Sequence, residues 1–377
     1  MNMAVKILFF IENLTGGGAE KVLCNLVNTM DQSKFEITVQ TLWKADADRF
    51  LKPGVHYRYC YPSKSVWNQY RSRFEAATGW IYPLHIKGNY DIEVAYLEFG
   101  STKILSHSTN KRAKKISWVH SDLNRKLDGN SKTLQKIKKQ YAAYDKIICV
   151  SQTARESFNR LLGREEHAII LYNTIDDTAI REKAALSSVE VPEKKLPTIV
   201  AVGRLSEEKQ YDMLLRVHKA LLEKGLMHEL WIIGEGGERD KLETIISENR
   251  LEESARLLGY KANPYPFMKA ADLLVCSSRY EGFSTFVAEG LILGKPIVTT
   301  ECSGMRELLG DSEYGLIVDN KENALLEGIA HLLMNRSLRE DYSCKALHRA
   351  LMLSAFQTTQ KTEEFFFHLV KDELGND

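Results

Sequence analysis

The sequence predicts an α/β protein of two doubly wound domains in series, and three observations carry that prediction. Short apolar, β-branched runs alternate with helical patterns along the chain, as in parallel sheets flanked by helices. One polar stretch, 176–195, closed by Pro197, interrupts the alternation as an interdomain linker would. Glycine-bearing turns follow the first strand on each side of it, at Gly16-Gly17-Gly18 and at Gly203. With 377 residues, each domain has room for a substantial core.

In chain order, the first set of strands is expected at 5–11, 37–42, 92–96, 116–119, 147–150 and 169–171. The second set is expected at 198–202, 230–233, 256–258, 273–276, 297–299 and 316–318. These place one Rossmann-like domain over 1–180 and another over 181–355. A terminal segment, 356–377, reads as a helix whose Phe365, Phe366 and Phe367 form an aromatic face that packs back on the first domain. Neither a repeat of 20–50 residues nor a low-complexity stretch is present.

The hydrophobic content of 44% and charged content of 27% are those of a globular chain. Before Glu12 the only apolar residues in series are Val5 and Ile7 to Ile11, too few for a signal peptide or a span, so a cytoplasmic location is expected. Cys24, Cys60, Cys149, Cys276, Cys302 and Cys344 form no Cys-x-x-Cys pair and are read as buried, reduced thiols. The net charge of +1 conceals +9 over residues 1–185 and −8 over the rest. Much of the excess lies between Lys103 and Lys139. There Lys103, Lys111, Arg112, Lys114, Lys115, Arg125, Lys126, Lys132, Lys136, Lys138 and Lys139 face only Asp122 and Asp128. Such a segment attracts an anionic partner, or else is a solvated helical face around 135–141.

Several constellations carry chemistry. Glu281-Gly282-Phe283-Ser284-Thr285 opens an apolar helix that ends at Gly294-Lys295-Pro296. Ser284 is its N-cap, Glu281 precedes it and Glu289 lies about one turn inside. Backbone N–H groups around Phe283, Ser284 and Thr285 suit a diphosphate, and the flanking carboxylates accept sugar and ribose hydroxyls. Gly16-Gly17-Gly18-Ala19-Glu20 lets backbone approach a ligand or simply makes a tight turn. It matches neither the dinucleotide fingerprint, because Lys21 replaces the third glycine, nor the P-loop. Arg204 and Lys209 follow the first strand of the second domain and offer a planar fork and a point charge to a diphosphate. Gly234, Gly236 and the pair Tyr260-Lys261 end strands at a rim where a nucleobase can meet backbone. His120 ends a first-domain strand, where it orients a hydroxyl or is a hydrogen-bonded structural histidine. Trp118 is read as core.

In order and spacing, these residues resemble the retaining GT-B glycosyltransferases of family 4. The resemblance rests on Gly16 to Glu20, Trp118-x-His120, Tyr172-Asn173, Gly203-Arg204-Leu205 through Lys209, Gly234-Glu235-Gly236, Asn263-Pro264-Tyr265 through Ala271-Asp272, and the pair Glu281 and Glu289. It implies two Rossmann-like domains facing a cleft, with the donor mainly in the second and the acceptor mainly in the first. Arg204 and Lys209 would hold the diphosphate, Glu281 the transferred hexose, Glu289 the ribose, and His120 a donor or acceptor hydroxyl. No metal and no cofactor is implied. UDP is the expected nucleotide, a glycan or lipid-linked glycan the acceptor, and an anionic membrane surface the partner of the basic segment, with no nucleic acid. Met305, where many relatives carry a second glycine, is a departure near the donor. Three other readings are an epimerase that releases and re-adds the nucleotide, a catalytically silent partner subunit, and a nicotinamide oxidoreductase.

Overall fold

The structure is a computed structural model and describes residues 4–15, 17–121, 123, 131–186, 190–281 and 283–374. Its contacts divide the chain into two units, Met1–Ile175 with Ala355–Asp377, and Asp176–Ser354.

The first unit contains β1 (Val5–Ile11), α1 (Gly18–Thr29), β2 (Phe35–Trp43), β3 (His56–Tyr61), α2 (Val66–Thr78), α3 (Ile81–His85), β4 (Ile92–Ala95), α4 (Gly100–Leu105), β5 (Lys114–Val119), α5 (Ser131–Tyr141), β6 (Lys146–Cys149), α6 (Gln152–Leu162) and β7 (Ala168–Ile170). Its strands form one parallel sheet in the order β3-β2-β1-β4-β5-β6-β7, with β1 registered on β2 through Val5↔Phe35 and on β4 through Ile7↔Ile92. β1 reads as a nearly unbroken apolar run because helices cover both faces of a parallel sheet. β3 is an additional strand that apolar periodicity did not reveal. It is the sheet edge, His-Tyr-Arg-Tyr-Cys-Tyr, with His56, Arg58 and Tyr59 exposed, Tyr57 half-buried and Cys60 and Tyr61 buried.

The second unit contains α7 (Asp177–Ala184), β8 (Thr198–Val202), α8 (Tyr211–Glu223), β9 (Glu229–Ile233), α9 (Arg239–Glu248), β10 (Ala255–Leu257), α10 (Tyr265–Ala270), β11 (Leu273–Cys276), α11 (Thr285–Ile292), β12 (Ile297–Thr300), α12 (Met305–Leu309), β13 (Leu316–Val318), α13 (Glu322–Met334) and α14 (Arg336–Met352). Its parallel sheet runs β10-β9-β8-β11-β12-β13. The polar stretch expected to be a bare linker begins with α7. Asp176 caps it by accepting from the Ala179 N–H at 2.9 Å, and the helix packs on α10 and α11. Residues 176–180 therefore belong to the second unit, not to the end of the first.

The last helix, α15 (Ala355–Leu374), packs on α1 of the first unit. Phe366 is fully buried with its ring 6.1 Å from that of Phe9, and Phe367 lies 4.6 Å from Phe35. The Glu363 carboxylate also accepts the Asp31 N–H at 2.7 Å, which satisfies a backbone donor where the helix docks.

Four of the six cysteines are buried and all are free, but Cys302 is half-buried and Cys344 exposed. Cys344 lies on α14, a helix of alternating charged and polar residues with a weak apolar stripe, so a small hydrophobe there need not face the core. Among the described residues, no helix is long and apolar enough to cross a membrane.

Candidate active site

In an open α/β sheet the ligand crevice forms at the carboxyl ends of the strands, where the strand order reverses. In the second unit that point lies between β8 and β11. The segments leaving these strands carry Arg204 and Lys209 after β8 and Glu281 after β11.

Lys209 and Glu281 are brought into direct contact. The Lys209 Nζ donates to Glu281 Oε1 at 2.6 Å, and both side chains are largely buried, 19% and 14% exposed. Burial is the largest single influence and discourages the Lys209 charge, but the Glu281 carboxylate, together with Cys276 and Glu208, outweighs it and the lysine pKa is raised. The Ser278 hydroxyl donates to the same Oε1 at 2.8 Å, and Ser277 Oγ donates to the Lys209 carbonyl at 2.7 Å. Thr300 Oγ1 donates to the Ser278 carbonyl at 2.6 Å, so β12 braces the turn from behind. Arg279 N donates to the Glu208 carbonyl at 2.7 Å, joining the two rim segments through backbone. A pre-positioned cation and carboxylate therefore share one pair of braced turns. Arg204 is exposed beside them.

Ser284 caps α11, its hydroxyl accepting from the Val287 N–H at 3.4 Å. Phe283 and Ser284 are buried and Thr285 is half-buried, while Gly282 lies outside the described residues. Glu289 sits on the second turn of α11, buried, and accepts the Tyr265 hydroxyl at 3.0 Å.

Gly234 and Gly236 have a structural reason that the sequence did not disclose. The loop after β8 lies directly on the loop after β9, with Gly203 N on the Ile233 carbonyl and Leu205 N on the Glu235 carbonyl, both at 3.0 Å. A Cβ at Gly234 would stand 1.9 Å from the Gly203 oxygen, and one at Gly236 would stand 2.2 Å from the Leu205 oxygen. Backbone packing demands these two glycines irrespective of any ligand. Tyr260 is exposed at the same rim, and Lys261 is half-buried with its Nζ 5.7 Å from the Phe267 ring centre. Met305 is fully buried, following the left-handed Gly304 that starts α12.

In the first unit the strand order reverses between β1 and β4. Gly17 caps α1 and Gly18 begins it, whereas Gly16 lies outside the described residues. Glu20 reaches back to accept from the Gly17 N–H at 3.0 Å, from the Thr15 N–H, and from Thr15 Oγ1 at 3.1 Å. Those two backbone donors are thus occupied by the chain itself. Nothing lies within 4 Å of a Cβ built at Gly18, so protein packing does not demand that glycine. His120 is half-buried at the end of β5. Its backbone N–H donates to Glu98 Oε2 at 3.0 Å, and its ring packs 4.8 Å from Tyr96. Trp118 is core, 4.8 Å from the same tyrosine.

Sequence reasoning missed Ser278, Glu98 and Glu12. Glu98 is a buried carboxylate just past β4 that also accepts the Ser121 hydroxyl. Glu12 follows β1 directly, and burial raises its pKa against a smaller opposing effect of Lys64. A charged residue ending an apolar strand was the available signal for both.

The basic segment spreads over several elements. Lys111 and Arg112 precede β5, Lys114 and Lys115 open it at the edge opposite His120, Lys103 lies on α4, and Lys136, Lys138 and Lys139 are exposed on α5. Asp122, Arg125, Lys126 and Asp128 lie outside the described residues, and nothing is described of the Lys132 side chain. Among the described residues, no group of three or more His, Cys, Asp or Glu side chains is placed to hold a metal ion.

Two parallel, doubly wound units, with a last helix returned to the first and charged rim segments at the switch point of the second, define a GT-B protein. Residues 16–179 match the family model described as Glycosyltransferase Family 4, and residues 182–349 match Glycosyl transferases group 1. The chain belongs to the GT-B glycosyltransferases. It is 39% identical over 183 residues to the Campylobacter jejuni N-acetylgalactosamine-N,N'-diacetylbacillosaminyl-diphospho-undecaprenol 4-alpha-N-acetylgalactosaminyltransferase. That match spans 48% of each chain, about half the length of the relative. The fold is similar to that of Anabaena HepE in complex with UDP, with a TM-score of 0.77 at 18% identity over 97% of this chain and 100% of that one. It is also similar to a point mutant of S. aureus TarM in complex with fondaparinux, alpha-GlcNAc-glycerol and UDP, with a TM-score of 0.74 at 14% identity over 96% and 99%.

Proposed function

We propose that this chain is a retaining, metal-independent hexosyltransferase that moves a sugar from a nucleotide diphosphate, UDP by preference, to a hydroxyl of a lipid-linked glycan in cell-surface polysaccharide assembly. The observation that supports it most is the Lys209–Glu281 pair at the β8/β11 switch point, 2.6 Å apart and braced by Ser277 and Ser278. A buried cation beside a carboxylate provides one group for a diphosphate and one for sugar hydroxyls.

In this reading Arg204 and Lys209 neutralise the charge that develops on the leaving phosphate, aided by the N-terminus of α11 at Phe283, Ser284 and Thr285. These groups take the place of a metal ion. Glu281 orients the transferred hexose and is not a covalent nucleophile. Attack comes from the face the phosphate leaves, and that phosphate takes the acceptor proton, so configuration is retained. Glu289, held by Tyr265, accepts ribose hydroxyls. Gly17 and Gly18 line the donor side of the first unit, where His120, fixed at its backbone by Glu98, holds a hydroxyl. Tyr260 and Lys261 meet the base.

The lipid-linked acceptor is supported by the C. jejuni relative, whose name gives a diphospho-undecaprenol substrate. That acceptor chemistry supports a cytoplasmic location at the inner face of a membrane, with the basic segment toward anionic lipid. A thermal-shift panel of UDP- and GDP-sugars tests the donor, since a ligand at 100 times its dissociation constant stabilises by about 2.7 kcal/mol. No shift with any of them would defeat the reading. Conversion of donor in the absence of acceptor would instead identify an epimerase, and donor binding without turnover on any lipid-linked acceptor a silent partner.

A further inference from the structure

Large apolar side chains left in water cluster between Val66 and Leu84 of the first unit. Val66, Trp67, Tyr70, Phe74, Trp80 and Leu84 are all exposed there, Trp67 by 78% and Phe74 by 67%. At 3.6 residues per turn, the four on α2 share an arc of roughly 100°. The opposite arc is fastened to the protein by a polar anchor. The buried Glu75 accepts from Tyr61 Oη at 2.6 Å and Arg71 Nε at 2.6 Å, and meets His85 Nε2 at 2.7 Å. A surface helix ordinarily turns its apolar stripe inward, and α2 does the reverse. Isolated exposed apolar residues need no explanation, but a contiguous set of this kind marks an interaction surface.

The surrounding charge narrows the choice of partner. Arg71 and Arg73 border the apolar arc on either side, Lys64 precedes α2, and Lys87 follows α3. Glu75 is the only acidic residue of α2, and it is buried. Just beyond α2 the stripe meets the basic segment. A Cβ built at Gly79 would stand 2.3 Å from His107 Cδ2, so the turn carrying Trp80 abuts the loop that leads to Lys111 and Arg112. A second copy of the chain would bring one basic rim against another, whereas an anionic bilayer accepts both the rim and the stripe. Tryptophan and tyrosine, each an apolar body with a polar tip, suit the headgroup boundary.

We propose that the face formed by α2 and α3 lies in the plane of an anionic lipid bilayer, its aromatic arc at the headgroup–acyl boundary and its basic rim on lipid phosphates. The assignment rests on the lipid-linked reading above and sharpens it: the aromatic face, rather than the scattered lysines of α5, makes first contact. Its test is independent of the donor site.

Sedimentation of the full chain with vesicles of phosphatidylcholine, alone or mixed with phosphatidylglycerol, reads the partition directly. The wild-type protein is expected to pellet with the mixed vesicles and to show a blue shift of tryptophan emission. The double substitution Trp67→Ser with Phe74→Ser should lower the partition by about tenfold or more, at unchanged melting temperature and unchanged thermal shift with UDP-sugars. Arg73→Glu, a charge reversal at an exposed position, should lower it severalfold and is a second arm if the double variant folds poorly. Equal pelleting with both vesicle types, or variants that partition like wild type, overturns the proposal. So does sedimentation equilibrium showing a wild-type dimer that Trp67→Ser with Phe74→Ser dissolves, in a protein that binds no vesicle. A missing UDP-sugar shift with intact vesicle binding would count against the donor reading alone.

Discussion

Substituting one partner of the Lys209–Glu281 pair should weaken UDP binding, and substituting the other should not. Without ligand the Lys209 ammonium is committed to Glu281 at 2.6 Å, and a bound diphosphate must draw on that same ammonium. Lys209→Met removes a charge-assisted donor worth about 1.5–3 kcal/mol, so the dissociation constant of UDP should rise by roughly 10- to 150-fold. Glu281→Gln removes a competitor for the ammonium and a negative charge near the phosphates, so UDP should bind as well as to wild type or tighter. Stability should move differently again. Breaking a fully buried pair costs roughly 3–5 kcal/mol. Exposures of 19% and 14% admit some screening, which leaves about 1–3 kcal/mol for Glu281→Gln. Both variants should lose sugar transfer, Lys209→Met through diphosphate binding and Glu281→Gln through sugar orientation. Isothermal titration with UDP and urea melts supply the readings. If Lys209→Met left UDP affinity intact, or if the two variants weakened it equally, the pair would be a structural clasp and the division of roles would be wrong.

Three further outcomes are expected. Gly236→Ala should destabilise by about 2–4 kcal/mol, because its Cβ meets the Leu205 oxygen at 2.2 Å; Gly18→Ala, in open space at a helix start, should be neutral or up to about 1 kcal/mol more stable, and urea melts that rank the two alike would refute this. His218, buried and bonded to His228 at 2.7 Å, is held neutral, chiefly by burial and then by His228, with a pKa pushed down to about 3. Its contribution is complete above the unfolded value near 6.5 and drains as pH falls toward 3, about 2 kcal/mol by pH 5. His218→Gln should flatten that slope in melts at pH 5 and 7, and an unchanged slope would place the acid sensitivity elsewhere. Phe366→Ala should cost about 3–5 kcal/mol, since its ring is fully buried on the first unit, and a urea midpoint near wild type would mean that α15 contributes little to that core.

How much of this was legible in the sequence differed between fold and site. Twelve of the thirteen strands among the described residues announced themselves as apolar runs, because strands covered on both faces carry their burial in consecutive residues. β3 did not, being an edge whose His56, Arg58 and Tyr59 face water, and α7 hid in a polar stretch because its anchor is the Asp176 cap. At the site, spacing located Lys209 and Glu281 on separate rim segments. Their contact across 72 positions follows from the adjacency of β8 and β11, which no local pattern encodes. The glycines misled in the other direction. At Gly234 and Gly236 the sequence suggested room for a ligand, and the occupant is the backbone of a neighbouring loop.

The return of α15 to the first unit reorders how the molecule is completed during synthesis. A ribosome delivers residues 176–354 after the first sheet, yet every residue of the second unit has emerged while the first still lacks Phe366. The ring of Phe9, in β1, waits for a partner that is made only after the whole of the second unit. The later-made unit can therefore be whole first, and the earlier one must hold an open apolar seam until the last helix arrives.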